Sequence, residues 1–289
     1  MAMPAVVTRI SHLPDAVERV YAIGDVHGRA DLLALLLDFI EARTRAGPRR
    51  IAVVLLGDLV DRGPSSAGVL DLAIDALARW PDSRLCLGNH DDWMRHFLSG
   101  APPMIDDAES WLEQRGAETL ESYATGHERL GEIRTAILRD RPGHRALLDG
   151  ASLLVTWRDF VFAHAGIEPG VPLDHQRMED ALSIRRPFLD HVGPLGAIVV
   201  HGHTIQKPAR PHVTENRISL DTGAVFRSVL TMVELDVLDA TMRFWATGPR
   251  GKVEPTLPVH VDRGLGTVAD RHAGTDANAF ALPDKKGRH

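Results

Sequence analysis

Two hydrophobic periods alternate along the first ninety residues of the chain. Residues 20–23, the run RIAVVLL (50–56) and the run SRLCL (83–87) are short and continuously apolar, the pattern of strands buried on both faces. Between them, ADLLALLLDFIEARTRAG (30–47) carries Leu32, Leu35, Leu36, Phe39 and Ile40 at three- and four-residue spacing, which predicts an amphipathic helix stopped by Gly47 and Pro48. SSAGVLDLAIDALARW (65–80) predicts a second helix with a serine start. Strand, loop and helix thus repeat three times, which argues for βαβ units with parallel strands and helices on the sheet faces.

Residues 93–150 change character. WMRHFLSG, DDAESWLEQRGAETLESYA and HERLGEIRTAILRD have helical periods, broken at GAPP and DRPG. They predict a helical insertion within the domain, which either covers the sheet or forms a wall of a substrate cleft. Strand signals return at 152–157, 160–164, 197–203, 217–223, 228–235 and 241–247, and the short turns between the last three predict antiparallel pairing. From 248 to 289 the chain is rich in Gly, Pro, His and Asp without a period and reads as an irregular C-terminal tail. The expected organisation is a single domain over 1–247 followed by that tail.

Composition narrows the chemistry. With 44% hydrophobic and 25% charged residues the chain is globular in type, and a net charge of −6 offers no basic surface for nucleic acid. Its one basic cluster, RTRAGPRR (43–50), falls at the far end of the first helix and is expected to be a solvated loop. The single cysteine, Cys86, lies in an apolar run and is expected to be a buried free thiol. No run approaches the ~18 apolar residues of a membrane span. The N-terminal stretch lacks the basic-then-apolar order of a secretion signal, so a cytoplasmic location without membrane association is expected.

The informative residues are polar and sit where the predicted strands end. GDVHG (24–28), GDLVDRG (57–63) and GNHDD (88–92) each follow a strand, and later ends carry His164 in HAG, His201 and His203 in VHGHT and Asp221 in LDTG. In parallel sheets the ligand site lies at the carboxyl ends of the strands, so these loops should converge. Carboxylates, imidazoles and an amide oxygen suit Mn, Fe or Zn, and the near absence of cysteine argues against a thiolate site. One four-letter match occurs by chance on the order of once in a few hundred chains of this length; three in order, each at a strand end, are not accidents.

These motifs, with HAG and GHT after them, resemble the calcineurin-like metallophosphoesterases, and within them the bacterial and phage-type phosphoprotein phosphatase branch. VHGHT…DTGAVF…LT (200–231) strengthens the likeness, which covers about residues 18–235. It implies an α/β sandwich of central mixed β-sheets flanked by helices, with a dinuclear metal centre. Asp25 and His27 would hold the first ion, Asp58 would bridge, and Asn89, His164 and His203 would hold the second. Mn is the first expectation for both ions, with Fe, Zn, Ni or Co also suited to these ligands.

The resemblance also implies a reaction. Two ions about 3.5–4 Å apart share a hydroxide that attacks phosphorus in line in one step. Arg62 would grip phosphate oxygens, with a second arginine from SIRRPF, for which Arg185 is preferred to Arg186. His90 would protonate the leaving oxygen, oriented by Asp61. Asp221 would brace a metal-holding histidine on its other ring nitrogen. His201 has no role in the pattern and is expected to support the site from outside or to be structural. Ile205 stands where many superfamily members carry a further histidine, which favours the phosphoprotein phosphatase branch. Asp91 stands where eukaryotic members carry glutamate and bacterial members commonly carry aspartate.

The expected activity is therefore a metal-dependent phosphomonoesterase of the serine/threonine protein phosphatase type, acting on a phosphoprotein or small phosphoester. The alternative is a phosphodiesterase or a symmetrical dinucleoside tetraphosphatase-like hydrolase on the same core. Such nucleotide hydrolases typically carry alanine where this chain has Asp61. A non-catalytic scaffold would have no need of the full set of ligands together with Asp61, Arg62 and His90.

Overall fold

The computed structural model describes residues 9–45, 49–100, 110–123, 126, 129–248, 251–261 and 279–282. Two mixed seven-stranded sheets stack with helices on their outer faces. The first is built on β2 (Arg19–Ile23), β3 (Ile51–Leu55) and β4 (Arg84–Leu85), parallel as the repeated strand–helix pattern predicts. It continues on the other edge through β10 (Thr231–Asp236), β11 (Thr241–Gly248) and β12 (Lys252–Pro255), all antiparallel. The second sheet runs β1 (Ile10–His12), β5 (Leu154–Trp157), β6 (Phe160–Ala163), β7 (Ile198–His201), β9 (Arg217–Ser219), β8 (His212–Val213) and β13 (Val259–His260).

The period of two explains the sandwich. In β2, Val20 and Ala22 face the gap between the sheets, with Ala52 and Val54 of β3, and meet Val155, Phe162 and Val200 from the other sheet. Tyr21, Ile23, Val53 and Leu55 point the opposite way. They pack on Leu33, Leu36 and Ile40 of α1 (Ala30–Thr44) and on Val69 and Leu70 of α2 (Ser66–Arg79). Strands buried on both faces are why the runs are continuously apolar, and each fully buried aliphatic side chain contributes about 1.5–3 kcal/mol. Cys86 lies free and buried in the gap, where burial pushes its thiol far up.

Two expectations are corrected. The strand at 217–219 does not pair with β10: its backbone lies beside β7 in the second sheet, so only β10 and β11 form the antiparallel pair. Beyond residue 248, where an irregular tail is expected, β12 and β13 extend sheet edges and β14 (Ala279–Ala281) pairs with β11; residues 262–278 and 283–289 lie outside the described ones. Residues 46–48 of the basic cluster lie outside the described ones, and the arginines on either side of them pair with carboxylates. Arg43 bonds Glu234 at 2.9 Å, Arg50 bonds Asp82 and Arg49 pairs with Asp236, at the end of the sheet away from the polar loops.

The insertion is helical where described. It comprises α3 (Asn89–Ser99), a π-helical turn Leu112–Gly116 running into α4 (Ala117–Glu121), α5 (Leu130–Asp140) and α6 (Pro142–Gly150). Residues 101–109 lie outside the described ones. Two shorter helices follow, α7 (Met178–Ser183) and α8 (Arg186–Leu189), and α9 (Ala224–Arg227) comes after the second sheet. Among the described residues no helix is long and apolar enough to cross a membrane.

Candidate metal centre

The loops after β2, β3, β4, β6 and β7 meet at one edge of the sandwich. To turn there they adopt backbone that side chains normally avoid. Of nine described non-glycine residues with positive φ, five are His27, Asp58, Asp61, Arg62 and His203. Such conformations cost on the order of 1–3 kcal/mol each and persist only where the surroundings hold them. Two glycines permit the closeness. A side chain at Gly88 would collide with the Asp58 carboxylate, and one at Gly202 with Asp25 Oδ1.

Backbone carbonyls set the histidine tautomers. His164 Nδ1 donates to Leu56 O at 2.9 Å, and His27 Nδ1 donates to Val60 O at 2.8 Å, so each Nε2 carries its lone pair inward. His164 Nε2 faces Asn89 Oδ1 at 3.1 Å, Asp58 Oδ1 at 3.4 Å and His203 Nδ1 at 3.2 Å. His27 Nε2 lies 3.4 Å from Asp58 Oδ2. Asp58 is thus shared by two groups of converging ligand atoms, one with His27 and His90, the other with His164 and His203. Carboxylate, amide and imidazole atoms crowd around His164 Nε2, and oxygen and imidazole donors without sulfur are what a divalent cation of the Mn, Fe or Zn type takes. The residues fit a metal.

Electrostatics agree. Burial would raise the Asp58 carboxyl, but His164, His90, His27 and His203 around it outweigh that and hold it below the ordinary range. Asp25 is pushed well up by burial and by the Asp221 and Asp58 charges; its oxygens accept the His203 N–H at 3.1 and 3.0 Å. Burial lowers His27 and His203 to about 3, the latter helped by the His164 and Arg185 charges. Carboxylates pressed together and histidines denied protons are unfavourable until a cation arrives.

His90 stands apart in its bonding. Its Nδ1 donates to Asp61 Oδ2 at 2.6 Å, and its Nε2 accepts from Arg62 at 2.8 Å. Burial lowers its basicity, but the Asp58 and Asp61 carboxylates outweigh this and the net shift is upward. The Arg62 guanidinium also reaches His27 Nε2. Arg185, directly before α8, is exposed, and its charge is felt at His203; Arg186 is exposed as well.

One of the predicted supporting residues differs from expectation. Asp221 does not hold a histidine: it accepts the Gly223 N–H at 2.9 Å and acts on Asp25 through its charge. The histidines are braced by the Leu56 and Val60 carbonyls instead. His201 is buried with both nitrogens engaged, Nε2 to Ser219 Oγ at 2.7 Å and Nδ1 to Gly202 O at 3.0 Å. Asp91, assigned no function in the sequence, accepts from Leu59 N at 2.8 Å and Gly88 N at 3.2 Å and so ties two of the loops together. Burial and the Asp58 charge raise its carboxyl to about 7.

A strand-end cluster with a shared carboxylate, flanking imidazoles and an adjacent guanidinium defines a metal-dependent phosphoester hydrolase of the metallophosphoesterase class. Residues 18–207 match the profile of the calcineurin-like phosphoesterases, and the chain belongs to that family. It is similar to bis(5'-nucleosyl)-tetraphosphatase PrpE [asymmetrical] of Anoxybacillus flavithermus, 28% identical over 72% of this chain and 87% of the relative. It is 34% identical to the symmetrical bis(5'-nucleosyl)-tetraphosphatase of Paracidovorax citrulli over 56% of this chain and 52% of that one. A crystal structure of a candidate diadenosine tetraphosphatase shares the fold, with TM-score 0.51 and 20% identity, over 87% of this chain and 98% of the other.

Proposed function

We propose that this chain is a phosphomonoesterase of the protein phosphatase type within its family, in which Asp25, His27 and Asp58 hold one metal ion and Asp58, Asn89, His164 and His203 a second. When bound, the ions would supply an activated water and positive charge for the phosphoryl oxygens. Manganese is the first candidate, with Fe, Zn, Ni and Co able to take the same donors. Arg62 binds phosphate oxygens with its planar fork, and Arg185 contributes a second guanidinium from the rim. His90 carries a proton on Nε2 to the leaving oxygen, while Asp61 fixes the ring through Nδ1. Drawing Arg62 toward phosphate frees His90 Nε2 from its present bond for that task.

The single observation that carries this reading is the 2.6 Å His90–Asp61 pair beside Asp58. A positioned acid matters most when the leaving group is a poor one, such as the serine or threonine alkoxide of a phosphoprotein. A nucleotide phosphate leaves readily and needs less help. The two named relatives support a second reading, hydrolysis of a dinucleoside tetraphosphate on the same centre.

The test is a side-by-side assay of metal-stripped protein reloaded with manganese. Faster turnover of a phosphoserine peptide and phenyl phosphate than of bis-p-nitrophenyl phosphate or a dinucleoside tetraphosphate is the expected result. Preference for the dinucleotide would replace the first reading with the second.

A further inference from the structure

Asp61 is fully buried and lies deeper than any other polar group proposed for the reaction except His164. Its surroundings come from the insertion. Trp111 Nε1 donates to Asp61 Oδ2 at 2.9 Å, and Thr119 Oγ1 donates to Oδ1 at 2.6 Å. Thr119 Oγ1 also accepts the Asp61 backbone N–H at 2.8 Å and lies 3.0 Å from Ser66 Oγ. Arg62 N donates to Arg115 O at 3.1 Å, and Ser122 Oγ accepts from Ala67 N at 3.0 Å. One short stretch, 111–122, thus clamps both faces of the loop that carries Asp61 and Arg62.

The local fold serves this contact. The π-helical turn Leu112–Gly116 sits between Trp111 and α4, and a side chain at Gly116 would come within 2.5 Å of the Trp111 ring. Trp111 is held on its other side by Phe97, with ring centroids 5.1 Å apart. A widened turn inside a helix is a common device for aiming a functional side chain.

We infer that Trp111 and Thr119 are positioning residues for the proposed acid, holding the Asp61 carboxylate in the orientation from which it fixes His90. The inference rests on the reading of His90 given above. With one donor on Oδ1 and another sharing Oδ2 with His90, the carboxylate has no freedom to rotate away from the imidazole. The insertion is then neither a cover for the sheet nor a cleft wall alone; it is part of the acid's support.

The test uses the full chain loaded with manganese. Trp111→Phe keeps an aromatic ring on Phe97 and removes the N–H; Thr119→Val removes the hydroxyl at similar volume, and Thr119→Ser restores it. Each loss variant should lower kcat for phenyl phosphate about tenfold, the size of one charge-assisted hydrogen bond. Turnover of p-nitrophenyl phosphate, whose leaving group needs little help, and the KM of both substrates should change less than threefold. Thr119→Ser should recover the phenyl phosphate rate, and neither loss should deepen the defect of Asp61→Asn. Metal content and melting temperature report folding independently. Equal losses on both substrates, or losses that add to Asp61→Asn, would overturn the inference. A leaving-group-selective defect in His90→Asn with none in Trp111→Phe and Thr119→Val would overturn the insertion's part alone. Absence of that selectivity in His90→Asn would overturn the acid assignment and this inference with it.

Discussion

His164 Nε2 and Asn89 Oδ1 face each other at 3.1 Å, and the imidazole's one proton is already spent on Leu56 O. Two acceptors at that distance repel unless a cation lies between or beside them. Removing metal by chelation should therefore lower the melting temperature, and manganese should restore it, because a ligand bound only by the folded state stabilises it by mass action. Asp58, shared by both groups, makes the sharper variant. Asp58→Asn should lose more than the ~100-fold in activity that loss of an outer partner costs. It should also bind fewer than two ions and gain little melting temperature from manganese. Two ions retained by Asp58→Asn, counted by elemental analysis, would contradict the bridging assignment.

His90 lies in one of the two groups of ligand atoms, with His27 and Asp58, yet its nitrogens are engaged by Asp61 and Arg62. His90→Asn should keep both metals and slow phenyl phosphate hydrolysis by about 10²–10⁴-fold, the usual worth of a general acid. A drop of one ion per chain in that variant would make His90 a ligand instead.

The motif loops were legible because they pair glycine with carboxylate or imidazole at the end of an apolar run, and each feature has a local cause. Gly88 must lack a side chain for Asp58 to approach, and His27 must turn at positive φ. What supports them was not legible. The Leu56 and Val60 carbonyls that set the histidine tautomers belong to backbone and leave no trace in residue type. Trp111 reads as one more apolar position of a helical period, and its bond to Asp61 spans fifty residues. The three-residue strand β1 is too short to show a period, and the choice of β7 over β10 as the partner of β9 is made by the packing of two sheets.

Away from the metal centre, Asp236 offers a pH test. Burial would raise its carboxyl, but the Asp239 N–H and the Arg19 guanidinium, bonded at 2.8 Å through Nε, outweigh that and depress it. A depressed carboxyl contributes stability that is present above its unfolded value of about 3.9 and is lost as pH falls through the folded one. Asp236→Asn should cost about 2 kcal/mol at pH 7, the size of a charged hydrogen bond, because Arg19 and Arg49 lose the carboxylate they share and keep only their longer contacts to Glu234 and Asp239. The gap in melting temperature between the two proteins should narrow as pH is taken below about 3.9. A gap that stays constant over that range would show that the charge is not what matters.

The insertion is tied to the core by a second chain of bonds. Tyr123 Oη lies 2.7 Å from His144 Nδ1, and His144 Nε2 lies 3.0 Å from Asp71 Oδ1 on α2. His144 is buried, and burial lowers its basicity, so the neutral ring links a donor on one side to an acceptor on the other. Tyr123→Phe leaves one buried ring nitrogen unpaired and should lower the melting temperature by about 2–6 °C. Turnover of p-nitrophenyl phosphate should stay within twofold of the parent. A large loss of turnover at unchanged melting temperature would mean that this contact reaches the site.

Gly202 separates the requirements of folding from those of metal binding. Its backbone lies outside the left-handed region, so alanine has no conformational objection there, but the added methyl would meet Asp25 Oδ1. The same carboxylate accepts the His203 N–H with both oxygens, so pushing it aside disturbs a proposed ligand of each metal at once. Gly202→Ala should fold, keep its sheets by circular dichroism, and bind manganese at least ~10-fold more weakly, the cost seen when a partner of a metal ligand is misplaced. Full metal affinity in a folded Gly202→Ala would show that Asp25 can move without cost, and would remove it from the set of residues holding the first ion.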